Sequence, residues 1–328
     1  MNSLSGNFII SLDFELFWGI HDEKYNTNDL KSFENTIYAI SEMKKLFKEF
    51  NINVTFSTVG FLFANSISEI RSNTPIQLPN YTNKNQSPYT KLNELNKINS
   101  KILFAKNIIE TIKNNKNFEI GSHTFSHYYC LEEGQNITEF NEDLKSAIKI
   151  AKKYNIELKS IVFPRNQYNE AILKTCYNNG IICYRGNENS WVYKSEAWSK
   201  ESLLKKGVRF IDSYINLSGH HGFKIKPTKS KIDKPINIPS SKFLRPFNKK
   251  LKLLEKFKLK RIKQSMSYCA LNNLNYHLWW HPHNFKSNTK ENIDNLKEIL
   301  KHYKQLEKKY GFKSKNMIQI TKEHLNEL

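Results

Sequence analysis

The chain has 328 residues, 39% of them hydrophobic, enough to bury one large barrel or two ordinary domains. Its 51 Lys and Arg against 31 Asp and Glu give a formal net charge of +20, but no nucleic-acid-binding motif accompanies the charge and no nucleic acid partner is expected. No run approaches the roughly 18 apolar residues of a membrane-spanning helix, and Met1 to Asn7 lacks the charged region and apolar core of a secretory leader.

Phe8-Ile9-Ile10-Ser11-Leu12 reads as a buried strand, followed by Asp13-Phe14-Glu15. Residues two apart in an extended chain point to one side, so Asp13 and Glu15 aim together from the strand's end. One can ligate a metal while the other stays free as a base. A helix is expected near 30–50 and a strand over 53–59. Residues 71–100 hold Pro75, Pro79 and Pro88 among many Asn, Thr and Ser, which marks an inserted loop or lid. A strand over 117–121 then ends at Gly121-Ser122 and presents His123 and His127. On a helical turn that spacing puts both imidazoles on one face, as a divalent metal needs. A histidine pair alone is more often not a site, so its weight depends on what converges with it.

Helices are expected at 138–154 and 169–179. Between them Ser160-Ile161-Val162-Phe163-Pro164 reads as a strand running into Arg165-Asn166-Gln167-Tyr168. Further strands are expected over 181–185 and 207–212. His220-His221-Gly222 has an exposed loop as its default reading. Residues 225–268 form a basic insertion. Within it, Lys242 to Lys263 carries ten Lys and Arg against the single Glu255, interleaved with Phe243, Leu244, Phe247, Leu251, Leu254, Phe257 and Ile262. That pattern fits a helix making peripheral contact with anionic lipid, a wall facing a phosphate-bearing substrate, or an ordinary surface helix with one packed face. The strand Tyr276-His277-Leu278-Trp279-Trp280 runs into His281-Pro282-His283-Asn284. A helix over 288–310 and a strand over 316–321 complete the chain. Cys130, Cys176, Cys183 and Cys269 show no paired spacing, which fits a reducing compartment and a cytoplasmic, potentially membrane-associated protein.

Alternating strands and helices favour a single α/β domain over 1–328, and in such folds sites lie at the carboxyl ends of strands. Four strand ends here carry Asp/Glu, His/His, Arg and His. A His-His-carboxylate set with an open position suits a catalytic metal better than a structural one.

On these residues the chain resembles the polysaccharide deacetylase family, the NodB-homology hydrolases of carbohydrate esterase family 4. His123-Thr124-Phe125-Ser126-His127 matches that family's H-[S/T]-x-x-H metal motif, and the resemblance spans residues 8 to 285. It implies a distorted (β/α) barrel of about seven strands. It implies Asp13 as catalytic base, Glu15, His123 and His127 as metal ligands, Arg165 as the residue that orients the base, and His281 as general acid. Tyr168, Trp279, His283 and Arg245 are then expected to contact substrate, Arg245 through a phosphate. The implied cofactor is one divalent metal per chain, most simply Zn²⁺, and the implied partner is an N-acylated sugar or glycan precursor, polymeric or carried on a nucleotide or lipid. The chain departs from the family in separating its two acids by Phe14, in using Glu for the second, and in keeping only the ends of an R-x-P-Y-like run at Arg165–Tyr168. Those departures are what a catalytically inactive, carbohydrate-binding relative would also show.

Overall fold

The strand read at the amino terminus sits at the centre of the sheet. In the computed structural model, which describes residues 5–197, 201–225 and 233–326, β1 (Asn7–Phe14) is buried along all but its first residue. Burial on both faces is why Phe8, Ile9 and Ile10 run on as consecutive apolar residues rather than alternating with polar ones. Among the described residues β1 pairs in parallel with β2 (Val54–Thr58), with β8 (Tyr276–Trp280) and, at its lower end, with β9 (Lys313–Lys315). β3 (Phe118–Ser122), β4 (Ser160–Ile161), β5 (Cys183–Tyr184) and β6 (Ile236–Asn237) continue beyond β2, and β7 (Lys242–Phe243) flanks β8. The order is β6-β5-β4-β3-β2-β1-β8-β7, eight strands where about seven are expected.

The connection from β6 to β7 shows that this sheet is curled. These strands stand at opposite ends of the order, yet only residues 238–241 join them. Five extended steps reach at most about 17 Å. A flat sheet would separate its outermost strands by roughly 34 Å, seven gaps of about 4.8 Å. The wall therefore bends round into a (β/α) barrel. Every strand pairing in it is parallel, so the carboxyl ends of the strands gather at one rim.

Helices Thr27–Glu49, Ile137–Lys152, Glu170–Asn178 and Thr289–Tyr310 stand where the pattern places them. The first two begin at capping boxes, Asn26 with Asp29 and Asn136 with Glu139, and Asn169 caps the third by accepting from the Ile172 amide. Two expected strands are instead helical. Residues 207–212 belong to the helix Leu203–Asp212, whose start is fixed by Ser202 accepting from the Leu204 amide. Residues 317–321 lie in the helix Met317–Asn326, entered through a reciprocal box in which Asn316 and Gln319 side chains accept from each other's backbone amides at 2.9 Å. Caps outweigh the β-branched residues that favour strand at both places.

The basic insertion is also not one surface helix. Its opening, residues 226–232, lies outside the described residues. Lys242 and Phe243 form β7, and the helix begins only at Glu255 (Glu255–Leu271). Lys242, Lys258 and Arg261 are buried and held by Asp212, Glu255 and the Gly219 carbonyl respectively. The segment 71–100 carries short 3-10 turns at Lys84–Gln86, Pro88–Lys91 and Glu94–Lys97, with Tyr81, Gln86, Leu92 and Leu95 buried.

One close approach governs the rim. The Gly60 amide donates to the Thr124 carbonyl (2.9 Å) and the Phe61 amide to that of Phe125 (3.1 Å), zipping the turn after β2 to the loop that carries His123 and His127. A Cβ on Gly60 would lie 2.4 Å from the Phe125 ring and 2.8 Å from its Cα. Gly60→Ala is therefore expected to lose about 1–3 kcal/mol of stability in urea unfolding, the usual cost of overpacking. An unchanged unfolding midpoint would show that this contact does not constrain the loop.

Candidate active site

Asp13 is the last but one residue of β1, and its carboxylate is buried. Arg185, directly after β5, meets it with two parallel bonds, Nη1 to Oδ1 at 2.5 Å and Nη2 to Oδ2 at 2.8 Å. Burial pushes the Asp13 carboxyl upward, but the guanidinium outweighs it and holds Asp13 below the usual carboxylate range.

Arg185 is itself fixed by a network of defined direction. A carbonyl oxygen only accepts, so His277 Nδ1 must carry the proton it shares with the Ile238 carbonyl (3.1 Å). His277 Nε2 is then an acceptor for the Ser11 hydroxyl at 2.8 Å, which leaves the Ser11 oxygen to accept from Arg185 Nη1 at 3.1 Å. Burial and the Arg185 charge lower His277 to about 3, so it stays neutral as this network requires. Arg185 also lies over the Trp279 ring, 4.1 Å from its centroid.

Glu15 has no such guanidinium. Its Oε2 stands 3.0 Å from His123 Nε2 and 3.0 Å from His127 Nε2. His123 Nδ1 donates to the Val162 carbonyl (2.8 Å), so a neutral ring there would face the Glu15 carboxylate oxygen with the Nε2 lone pair. Two acceptors in that contact repel unless a cation lies between them. Burial lowers His127 to about 4, and Glu15 is held well below the usual range against the pull of burial. Neutral imidazole and ionised carboxylate are the forms that ligate a metal. Ligands each about 2.1 Å from one ion stand roughly 3.0–3.4 Å apart, so the donor set fits a divalent cation. Among the described residues His127 Nδ1 has no hydrogen-bond partner. A second set shares Glu15: His281 Nε2 is 3.6 Å and His283 Nδ1 3.7 Å from Oε1.

The histidine pair does not sit on a helical turn, as its spacing alone would place it. Thr124 (φ 63°) and His127 (φ 59°) are both left-handed, and with these two reversals His127 joins His123 at Glu15. Non-glycine residues hold that conformation only when the surroundings impose it. Asp143 does so here. From the helix Ile137–Lys152 its carboxylate accepts from the Phe125 amide (2.7 Å), the Ser126 amide (3.1 Å) and the Ser126 hydroxyl.

The rim opens into a cleft of about 870 Å³ that Asp13, Glu15, His127, Trp279, His281 and His283 line at its base. His281 is about a quarter exposed, and its Nε2 is 3.6 Å from both Asp13 Oδ2 and Glu15 Oε1. His283 is buried and stacks on His281. Arg165 lines the cleft but does not touch Asp13. It bonds Asp22 at 2.6 Å, pairs with Glu132 at 3.6 Å and lies 3.9 Å over the Tyr129 ring. The residue orienting Asp13 is Arg185, which corrects the assignment of Arg165. Its signal is the one that marks the other site residues, a polar side chain ending an apolar strand. Tyr168 lies behind the cleft wall against Phe163 and Tyr184, its hydroxyl accepting from the Asn187 amide at 3.4 Å. Arg245 stands on the far wall.

Neither a sequence family nor a curated protein matches the chain. Solved structures share its fold. A Mycobacterium smegmatis protein described as a polysaccharide deacetylase aligns over 99% of this chain and 92% of its own, at 10% identity and TM-score 0.60. A Pseudomonas aeruginosa PAO1 protein described in the same terms aligns over 98% and 90%, at 10% identity and TM-score 0.57. Puue allantoinase aligns over 99% and 91%, at 9% identity and TM-score 0.58. The chain therefore has the NodB-type (β/α) barrel fold of polysaccharide deacetylases.

Two outcomes are expected from the Asp13 network. Arg185→Met leaves a buried carboxylate unpaired and should cost about 3–5 kcal/mol in urea unfolding at pH 7; a loss under 1 kcal/mol would mean that Asp13 finds another partner. His277 is neutral in the fold and protonates near 6.5 when unfolded. Its lowered value therefore removes stability as pH falls from 6.5 towards about 3, by up to about 1.4 kcal/mol per pH unit. His277→Gln should flatten that acid slope, as read from unfolding midpoints across the range.

Proposed function

We propose that the protein is a metal-dependent hydrolase that removes an N-acyl group, most simply acetyl, from a sugar. The carrying observation is the 3.0 Å approach of two imidazole nitrogens to Glu15 Oε2, beside a second carboxylate held ionised by Arg185. In this reading Glu15, His123 and His127 hold one divalent ion, Zn²⁺ being the simplest choice for N/O ligands. Such an ion supplies a Lewis acid that polarises an acyl oxygen and acidifies water.

The chain's own groups supply the proton transfers. Asp13 takes a proton from the attacking water, and Arg185 keeps its carboxylate ionised and aimed. Water oxygen bonds to the acyl carbon and the carbon–nitrogen bond breaks. His281 in its protonated form gives its proton to the departing amine nitrogen, a role its position 3.6 Å from Asp13 supports. The products are a carboxylate and an amino sugar. Trp279 offers a ring face on the cleft wall against which a sugar can stack.

Elemental analysis of purified protein should find about one transition metal per chain, lost in His127→Ala. Asp13→Asn should retain the metal while acetate release from N-acetylated sugars falls by about 10²–10⁴-fold. Full activity in Asp13→Asn would move the base role to another group. Metal retained in the wild type without acyl release from any such sugar would favour a binding protein.

A further inference from the structure

We propose that the far wall of the same cleft is a phosphate subsite anchored by Arg245, so that the acylated sugar it receives is a phosphorylated one. This rests on the sugar-hydrolase reading for its location, but not for its chemistry.

Arg245 follows β7 by two residues and lines the cleft. Its Nε donates to the Ser213 hydroxyl at 2.9 Å, and its guanidinium lies 5.1 Å from the Phe210 ring centroid. Those contacts orient the group without neutralising it. The nearby carboxylates are already engaged. Glu201 takes Arg209 and Lys206, and Asp212 takes Lys242, with Arg261 at 3.8 Å. Glu188 accepts from the Trp279 indole at 3.3 Å. Among the described residues no carboxylate pairs with Arg245. Burial lowers its pKa against the opposing pull of Tyr214 and Tyr193, and Arg209 adds a smaller repulsion in the same direction as burial.

A half-buried guanidinium without a counter-charge, beside a second guanidinium, is costly unless an anion completes it. Planar, forked donors favour phosphate or carboxylate oxygens. Phosphate is the group assigned, because Arg209 and Lys206 line the same cleft beside Glu201, and a multiply charged group can share cations already paired with one carboxylate. Both ends also belong to one cleft. Glu15 and Arg245 line it together, and Arg245 follows by two residues Phe243, which packs against Trp279 and His281 at the catalytic end. An acyl group at Glu15 and a phosphate at Arg245 are therefore proposed to belong to the same molecule.

Such a phosphate can reach the cleft on a soluble carrier or on a lipid. The helix bearing Lys206 and Arg209 also exposes Leu203 (84%) and Leu204 (68%), so both sources are tested.

Calorimetric titration of the metal-loaded protein with inorganic pyrophosphate and with N-acetylglucosamine 1-phosphate tests the subsite. Arg245→Gln should weaken both by about tenfold or more, and Arg245→Lys should restore part of the loss. Lys260→Gln, an exposed cation off the cleft, controls for the general positive charge and should change neither. No loss in Arg245→Gln, or an equal loss in Lys260→Gln, overturns the subsite. Arg245-dependent binding without acetate release keeps the subsite and retires the hydrolase reading. Acetate release from N-acetylglucosamine without Arg245-dependent phosphate binding does the reverse. Given Arg245-dependent binding, sedimentation with phosphatidylglycerol vesicles assigns a lipid carrier, and failure to sediment assigns a soluble one.

Discussion

Two carboxylates stand at the end of the most deeply buried strand of the sheet, and much of the rim is arranged to compensate them. Burying an ionised carboxylate is prohibitive without a partner. Asp13 and Glu15 meet that demand differently. Asp13 has a bidentate guanidinium from the next strand end but three, fixed by Ser11 and His277. Glu15 has only imidazoles, two of whose Nε2 atoms stand 3.0 Å from its Oε2. One acid is thus paired with a fixed guanidinium, while the other faces a cluster of histidines of the kind that can share a cation with it. That difference supports a base role for Asp13 and a ligand role for Glu15.

The same demand explains the strained loop after β3. His123 follows a strand directly and is aimed by the Val162 carbonyl, but His127 reaches Glu15 only because Thr124 and His127 adopt left-handed backbone. The energy for this comes from neighbours in other segments. Asp143 collects two backbone amides and a hydroxyl, while Phe125 packs edge-on against Phe61 and the Gly60 amide ties the loop to β2. Burial raises the Asp143 carboxyl to about 6, so holding the loop with this group carries its own cost. Strain of this kind is tolerated where it positions chemistry.

The barrel's curl then gives the cleft two unlike ends. Acids and histidines crowd its base at the ends of β1, β3 and β8. The chain after β7 brings Arg245 to its far wall, close to Arg209 on a helix outside the sheet. Several other cations of the basic insertion are spent internally, Lys242 on Asp212 and Lys258 on Glu255. The high net charge of the composition is therefore a poor guide to a partner. What matters is which cation is left without a carboxylate.

The sequence by itself determined the parts whose signal is local. An apolar run followed by acids fixed β1 and the direction of Asp13 and Glu15, because side chains alternate along a strand. Four helices stand near the ranges read from the sequence, and the paired histidines stood at a strand end as read. Tertiary structure decided which groups meet. Arg165 and Arg185 both follow short apolar strands and are locally equivalent, yet only the curl of the sheet sets Arg185 against Asp13, 172 positions away. The histidine spacing is the same on a helical turn or in a doubly reversed loop, and contacts from Asp143 and Gly60 select the loop. The segments at 207–212 and 316–321 carry β-branched residues that favour strand, but a cap and a capping box turned them into helices, the second docked where Glu119 accepts from the Ile318 amide. Periodicity reports which residues prefer burial. Which partner they are buried against is a long-range choice, made by chain closure and the neutralisation of buried charge.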